Sequence, residues 1–316
     1  MPAIDIKSKI LGAILGSAIG DAIGEMAFLY PEKERLLEEV NRAPEICYTD
    51  DTAMAIGLTE SIIKEGGIDQ NLLGETFRNN FLREPWRGYA SGPPTIFSQV
   101  QKLGITYPEA ARNLFGGLGS FGNGAAMRIV PVGVFYHNAQ DLYEQAALSA
   151  EVTHAHPIGV DGAAVQARAV AHAVELDPRE TFPTTNFLQD LLDFSRTLGI
   201  ETKMRLVTDL IANHTRPGVA AEKIGRSVAV HESMPFAIYA FLRHPASFEA
   251  CLFCAILHGG DRDTLGAMTG AVSGAYLGIQ TIPKSWREKL ENRDYIERLA
   301  LKLTSAMTTQ ENAFQT

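Results

Sequence analysis

Two acidic clusters, far apart in a chain of 316 residues, have the residue types of a cation site. The first is Tyr48-Thr49-Asp50-Asp51-Thr52, followed at once by helix-spaced apolar residues Ala53, Met54, Ile56, Leu58 and Ile62. The second is His258-Gly259-Gly260-Asp261-Arg262-Asp263-Thr264, again at the head of a helical pattern. A single Asp or Thr in such a place is an ordinary N-cap, because its oxygen accepts from free N–H groups and its charge suits the helix dipole. Capping needs only one acid, and adjacent carboxylates repel unless a cation lies between them. Hard oxygen donors of this kind suit magnesium, calcium or manganese. Two Asp/Thr clusters opening two helices therefore predict a shared two-metal site. Asp21, a third acid inside an apolar run, needs a metal-bound water or an N–H partner if it is buried.

Between the clusters, Phe115-Gly116-Gly117-Leu118-Gly119-Ser120-Phe121-Gly122-Asn123-Gly124 is too rich in glycine for a helix. Successive backbone N–H groups in such a loop can cradle a pyrophosphate, and a plain connection is the competing reading. It matches neither the dinucleotide fingerprint nor the P-loop. His154 and His156 flank Ala155 before another helical stretch. Cys251 and Cys254, with His258, could form half a zinc site, but no second ligand pair accompanies them, and small apolar core residues are the better reading. Residue types alone lead to a metal-dependent hydrolase or transferase acting on a phosphorylated small molecule, without naming the bond.

The elements that must position these groups are helices. Gly12, Gly16, Gly20 and Gly24 form one row with helical spacing, flanked by Ile10, Ile14, Leu11, Leu15 and Ile19. Gly266, Gly270, Gly274 and Gly278 repeat the pattern near the other end. Each glycine weakens an isolated helix by about 1 kcal/mol relative to alanine, so close approach of another backbone is expected in compensation. Further helical patterns run over about 51–65, 69–82, 107–115, 140–151, 158–175, 186–196, 202–213, 219–229, 233–242 and 246–258, with breaks at Ser91-Gly92-Pro93-Pro94 and over 116–124. Strand alternation is nearly absent. The expectation is an all-α, multi-helix orthogonal bundle forming one domain over 1–316, with its core over about 6–304 and a flexible tail after Thr304.

Composition narrows the function. A net charge of −9 argues against a nucleic-acid groove, which needs clustered Lys and Arg. The start lacks the pattern of a cleaved signal, and no clean charge-free span of about 20 apolar residues is present. Three cysteines are too few for a disulfide framework. A cytoplasmic protein with no membrane role is expected.

Taken together and in order, these motifs resemble the ADP-ribosylglycohydrolase family from Leu11 to about Trp286. The carriers are Gly20-Asp21-Ala22 within the first stripe, Tyr48-Thr49-Asp50-Asp51-Thr52-Ala53-Met54, Arg87-Gly88-Tyr89, the loop running from Gly119-Ser120-Phe121-Gly122-Asn123 into Met127-Arg128, Thr153-His154, and Gly259-Gly260-Asp261-Arg262-Asp263-Thr264. Within the family, Arg87-Gly88-Tyr89, the 148–155 segment and Glu232-Ser233-Met234-Pro235 are most similar to the ADP-ribosylserine hydrolase branch. The resemblance implies two Mg²⁺ ions, with Thr49, Asp50 and Asp51 on one side and Asp261, Asp263 and Thr264 on the other. It implies that Gly117, Gly119, Ser120, Phe121, Gly122 and Asn123 hold the diphosphate and distal ribose, while Phe115 and His154 stack on the adenine. Hydrolysis of the bond between ADP-ribose and a serine side chain follows as the expected activity, with poly-ADP-ribose or O-acetyl-ADP-ribose as further substrates. Asp50, Asp261 and Asp21 are the candidate catalytic acids, the last two for orienting water or relaying a proton. ADP-ribosylarginine hydrolysis and non-catalytic ADP-ribose binding are the rival readings. The sequence departs from the family at Phe28, where a gating glutamate is usual and Glu25 or Glu32 could substitute, and at Gly225-Arg226-Ser227, where the serine branch tends to carry Gly-Asn-Gly.

Overall fold

The computed structural model describes the backbone of residues 5–314 and side chains through Met307. The first four residues and the last two, part of the expected flexible ends, lie outside the described residues. Among those described there is no strand, only isolated bridges pairing Ile46 with Leu290 and Gly122 with Ala229. The centre is the antiparallel pair formed by Ile6–Leu29 and Arg262–Leu277. A Cβ on Gly16 would lie 2.5 Å from the Gly270 carbonyl oxygen. Cβ atoms on Gly12, Gly20 and Gly24 would come inside 3.0 Å of the carbonyl oxygens of Gly274, Gly266 and Arg262. The two stripes are thus one backbone-to-backbone contact. Gly278 differs from expectation: the helix ends at Leu277, and Gly278, at φ +79°, terminates it. By length and mean hydropathy Ile6–Leu29 is long and apolar enough to cross a membrane, yet it carries Lys7, Lys9, Asp21 and Glu25, in keeping with the absence of a charge-free span, and 83% of its apolar window is buried inside the protein.

One buried apolar cluster runs from Ile10 to Met307 around this pair. Asp50–Glu65, Gln70–Arg83 and Pro157–Glu175 lie where the periodicity put them. The expected helix over 219–229 is shorter, Pro217–Ile224, because Gly225 adopts φ +91°. Gly92–Leu103 is a helix where a break was read: Pro93 falls in the first turn, where a missing N–H costs nothing. Lys33–Arg42 went unread because it buries only Leu36 and Val40. Past Thr304, the final helix Arg293–Phe314 continues and Met307 is buried, so the weakened apolar pattern does not end the fold at 304.

Candidate active site

Asp21 explains how the first acidic cluster is held. It is fully buried and accepts from Thr49 N–H (3.1 Å), Thr49 Oγ1 (2.8 Å), Thr52 N–H (3.0 Å) and Thr52 Oγ1 (2.6 Å). A carboxylate on the central helix therefore caps the Asp50–Glu65 helix from outside. Asp21 is not among the residues lining the neighbouring cavity and its oxygens are engaged by Thr49 and Thr52, an arrangement that positions the cluster. Thr49 is likewise absent from the lining, its Oγ1 lying 2.8 Å from Asp21 Oδ1 and 3.3 Å from Asp51 Oδ2. From the other side, Arg87 donates to the Tyr48 carbonyl (3.1 Å) and to Glu291 (2.6 and 2.8 Å), and its guanidinium lies 4.1 Å over the Tyr48 ring.

Asp50, Asp51, Asp261, Asp263 and Thr264 converge on a single cavity of about 560 Å³. Asp261 is fixed by its N–H to the Arg226 carbonyl (3.0 Å) and by the Asn123 amide donating to its Oδ2 (2.7 Å). Burial first, and then the other acids, push Asp50 up to about 7, Asp263 up to about 8 and Asp51 well above the usual carboxylate range. Asp51 Oδ1 is buried with no hydrogen-bond partner. An orphaned carboxylate oxygen among mutually repelling acids fits a hard divalent cation. Among the described residues no three His, Cys, Asp or Glu side chains are grouped closely enough to hold a metal ion by themselves. Glu25, exposed on the central helix, is near enough to contribute to raising Asp263, while Phe28 is 47% exposed and Glu32 stands at the start of the next helix.

The same cavity is walled by the glycine-rich loop. Leu114 leaves the helix, and Phe115 and Gly116 adopt left-handed backbone at φ +52° and +70°. This bend presents Phe115 (66% exposed) and Leu118 (70% exposed) beside Phe121. Gly119, Ser120, Phe121, Gly122 and Asn123 line the cavity; Gly117, expected with them, does not, since it belongs to the bend at φ +91°. Among the described residues the N–H groups of Ser120 and Phe121 have no acceptor, whereas Gly122 N–H donates to Ser120 Oγ and Asn123 N–H to the Val228 carbonyl. Asn123 spends its amide on Asp261 and on Ser233 (3.2 Å), tying loop to acids. Glu232 accepts from Ser227 N–H (3.2 Å), steadying the segment whose Arg226 carbonyl holds Asp261.

His154 lines the cavity floor with its pKa pushed down to about 3 by burial and by Arg128, so it is a neutral, flat ring at pH 7. Sequence reasoning gave Arg128 no place in the site. It is fully buried, donates to the carbonyls of Gly124 (2.8 Å) and Ser149 (3.2 Å) and to Thr153 Oγ1 (2.7 Å), and brings positive charge near Asp50. A lone arginine inside the apolar run 125–132 was the available signal. Cys251 and Cys254 are buried free thiols whose pKa values burial pushes up, and Cys251 donates to the His244 carbonyl (3.0 Å); they are core residues, not zinc ligands.

Comparison with known proteins agrees with this architecture. A family model described as ADP-ribosylglycohydrolase matches residues 2–313. The protein named ADP-ribosylhydrolase ARH3 from Homo sapiens is 34% identical over 291 residues, covering 83% of this chain and 79% of its own length; its Bos taurus counterpart is 34% identical over 293 residues with the same coverage. An uncharacterized protein of Archaeoglobus fulgidus is 31% identical over 257 residues, covering 81% of this chain and 79% of its own. A solved structure described as an ADP-ribosylglycohydrolase-related protein complex superposes with a TM-score of 0.72 at 26% identity, over 96% of this chain and 99% of that one. The chain belongs to the ADP-ribosylglycohydrolase family, and it is a hydrolase of ADP-ribose glycosidic bonds.

Proposed function

We propose that this enzyme is a magnesium-dependent hydrolase of ADP-ribosylated serine, with Asp50, Asp51, Asp261, Asp263 and Thr264 holding two Mg²⁺ ions and Thr49 supporting them. The observation that carries the proposal is the convergence of acids from two helix N-termini on one cavity, with the orphaned oxygen of Asp51 among them. When bound, the metal pair supplies Lewis acidity toward ribose hydroxyls beside the scissile carbon and stabilises charge as the bond breaks. The 119–123 backbone offers Ser120 and Phe121 N–H groups to the diphosphate. Phe115 and the neutral His154 receive the adenine, a role suited to an uncharged ring. Asp261, oriented by Asn123, directs water at the anomeric carbon: the water oxygen bonds to that carbon, the bond to the serine oxygen breaks, and a water proton ends on the serine hydroxyl.

The serine linkage is supported by the three segments similar to the serine branch, each of which lines the cavity or braces its wall: Arg87 at Tyr48, Thr153-His154 in the lining, and Glu232 beneath Ser227. The test uses matched peptides mono-ADP-ribosylated on serine or arginine, with released ADP-ribose measured in magnesium and in EDTA. Magnesium-dependent release from the serine peptide is expected, and it is lost in Asp50→Ala and Asp263→Ala. Release from arginine alone refutes the linkage; normal turnover in both variants refutes the metal site; tight ADP-ribose binding without turnover favours a reader.

A further inference from the structure

Two arginines stand immediately beside the acids without joining them. Arg226 holds the Asp261 N–H through its carbonyl (3.0 Å), and Arg262 follows Asp261 as the first residue of the central helix. Neither lines the cavity. Their side chains both lie near Gly259: a Cβ there would be 3.5 Å from Arg226 Nε, 3.9 Å from Arg226 Nη2 and 4.0 Å from Arg262 Nη2. Gly259 and Gly260, both at positive φ, leave room for this, since a side chain on Gly260 would collide with the Arg226 carbonyl. Arg226 Nε is buried without a hydrogen-bond partner, and Arg262 Nη1 donates to the Ile256 carbonyl. Among the described residues neither guanidinium has a carboxylate partner, although Asp261 and Asp263 are adjacent in sequence. Two guanidiniums near one glycine, without a carboxylate partner among the described residues, have the donors and charge that suit an oxyanion.

We propose that Arg226 and Arg262 clamp an oxyanion on the acceptor peptide, either a carboxylate or a phosphorylated side chain near the modified residue. This rests on the proposed function, in which the scissile bond lies at the acid-lined end of the cavity and the adenine at the Phe115 end. On that reading the acceptor leaves the cavity beside Asp261, which is bonded to the Arg226 carbonyl and followed by Arg262. ADP-ribose itself is held inside the cavity, so a group reaching the arginines belongs to the acceptor. The forks read the acceptor by charge at a position the nucleotide does not touch.

The test takes three serine-ADP-ribosylated peptides that differ at one flanking residue: Gln, Glu or phosphoserine. In the wild type at low salt, KM for the Glu or the phosphoserine peptide is expected to be lower than for the Gln peptide by about fivefold or more. Arg226→Gln should bring that ratio near one, Arg226→Lys should keep part of it, and Arg226→Glu should invert it, raising KM for the Glu and phosphoserine peptides above that for the Gln peptide. Preference for only one of the anionic peptides identifies which oxyanion is read. Should Arg226 variants fail to fold, the wild-type ratio is expected to collapse in high salt, because an exposed charge contact is screened. Equal KM for all three peptides in the wild type, or a ratio unchanged by Arg226→Gln, overturns the clamp alone. Absence of ADP-ribose release from every peptide instead overturns the serine-hydrolase reading on which it rests.

Discussion

Replacing Gly16 with alanine sets two effects of opposite sign against each other. Helix propensity favours the change by about 1 kcal/mol, because glycine leaves more backbone freedom in the unfolded chain. Packing opposes it: the new Cβ would lie 2.5 Å from the Gly270 carbonyl oxygen and 3.0 Å from Phe248 Cε2. The Phe248 ring can rotate, but the carbonyl belongs to the facing helix and moves only with it. Relieving the overlap means separating two helices in backbone contact along their length, and the insertion of one methyl group into such packing costs roughly 3 kcal/mol or more. A net loss of about 2–3 kcal/mol is expected, which for a chain of this length lowers the melting temperature by roughly 3–5 °C. Urea unfolding of wild type and Gly16→Ala, followed by far-ultraviolet circular dichroism, measures it directly. Equal or greater stability in the variant would refute the claim that close backbone approach, and not chance composition, explains the stripes.

Two further outcomes follow from the acids. In metal-free protein, burial and mutual repulsion hold Asp50 near 7 and Asp263 near 8, above their unfolded values, so the stability these groups contribute is fully present in acid and lost as pH rises through the folded values. Thermal melts should fall between pH 5 and pH 8 by the equivalent of a few kcal/mol, with magnesium restoring stability at pH 8 far more than at pH 5; a flat profile would contradict the coupling. Asp21→Ala should cost about 3 kcal/mol in urea unfolding by orphaning the buried Thr49 and Thr52 N–H groups, and a loss below about 0.5 kcal/mol would show that Asp21 does not hold the cluster.

The central helices and the acids were legible because their signals are local. A glycine every fourth residue, or Asp-Asp before an apolar run, needs no knowledge of its partner to be noticed. Asp21 was legible as a buried acid in need of an N–H partner or a metal-bound water; that the partners are Thr49 and Thr52, at a helix beginning 29 residues later, is a tertiary fact, invisible to spacing. Pro93 and Pro94 read as a break because proline's two roles, helix breaker and helix opener, look alike in sequence. Gly117 and Gly119 read alike as loop glycines, and only backbone geometry separates a bend residue from a lining one. Arg128 and the Arg226–Arg262 pair share a further reason: the charge of an arginine is obvious, but which end of its long side chain meets what is decided by folding.

The glycine stripes and the acids are parts of one device. Because the two central helices run antiparallel, Gly12 faces Gly274, Gly16 faces Gly270, Gly20 faces Gly266 and Gly24 faces Arg262. That register brings Asp21, near the end of the first helix, level with the start of the second, where Asp261, Asp263 and Thr264 stand. Asp21 in turn holds Thr49 and Thr52, and so aims Asp50 and Asp51 at the same cavity. A shift of one helix along the other by a single turn would move about 5 Å of backbone and separate the acid clusters. Side chains larger than hydrogen at the stripe positions would instead separate the helices sideways. Glycine at these positions therefore sets the distance between acids that come from different helices, which explains why an arrangement costly to helix propensity is kept along almost the whole length of the contact.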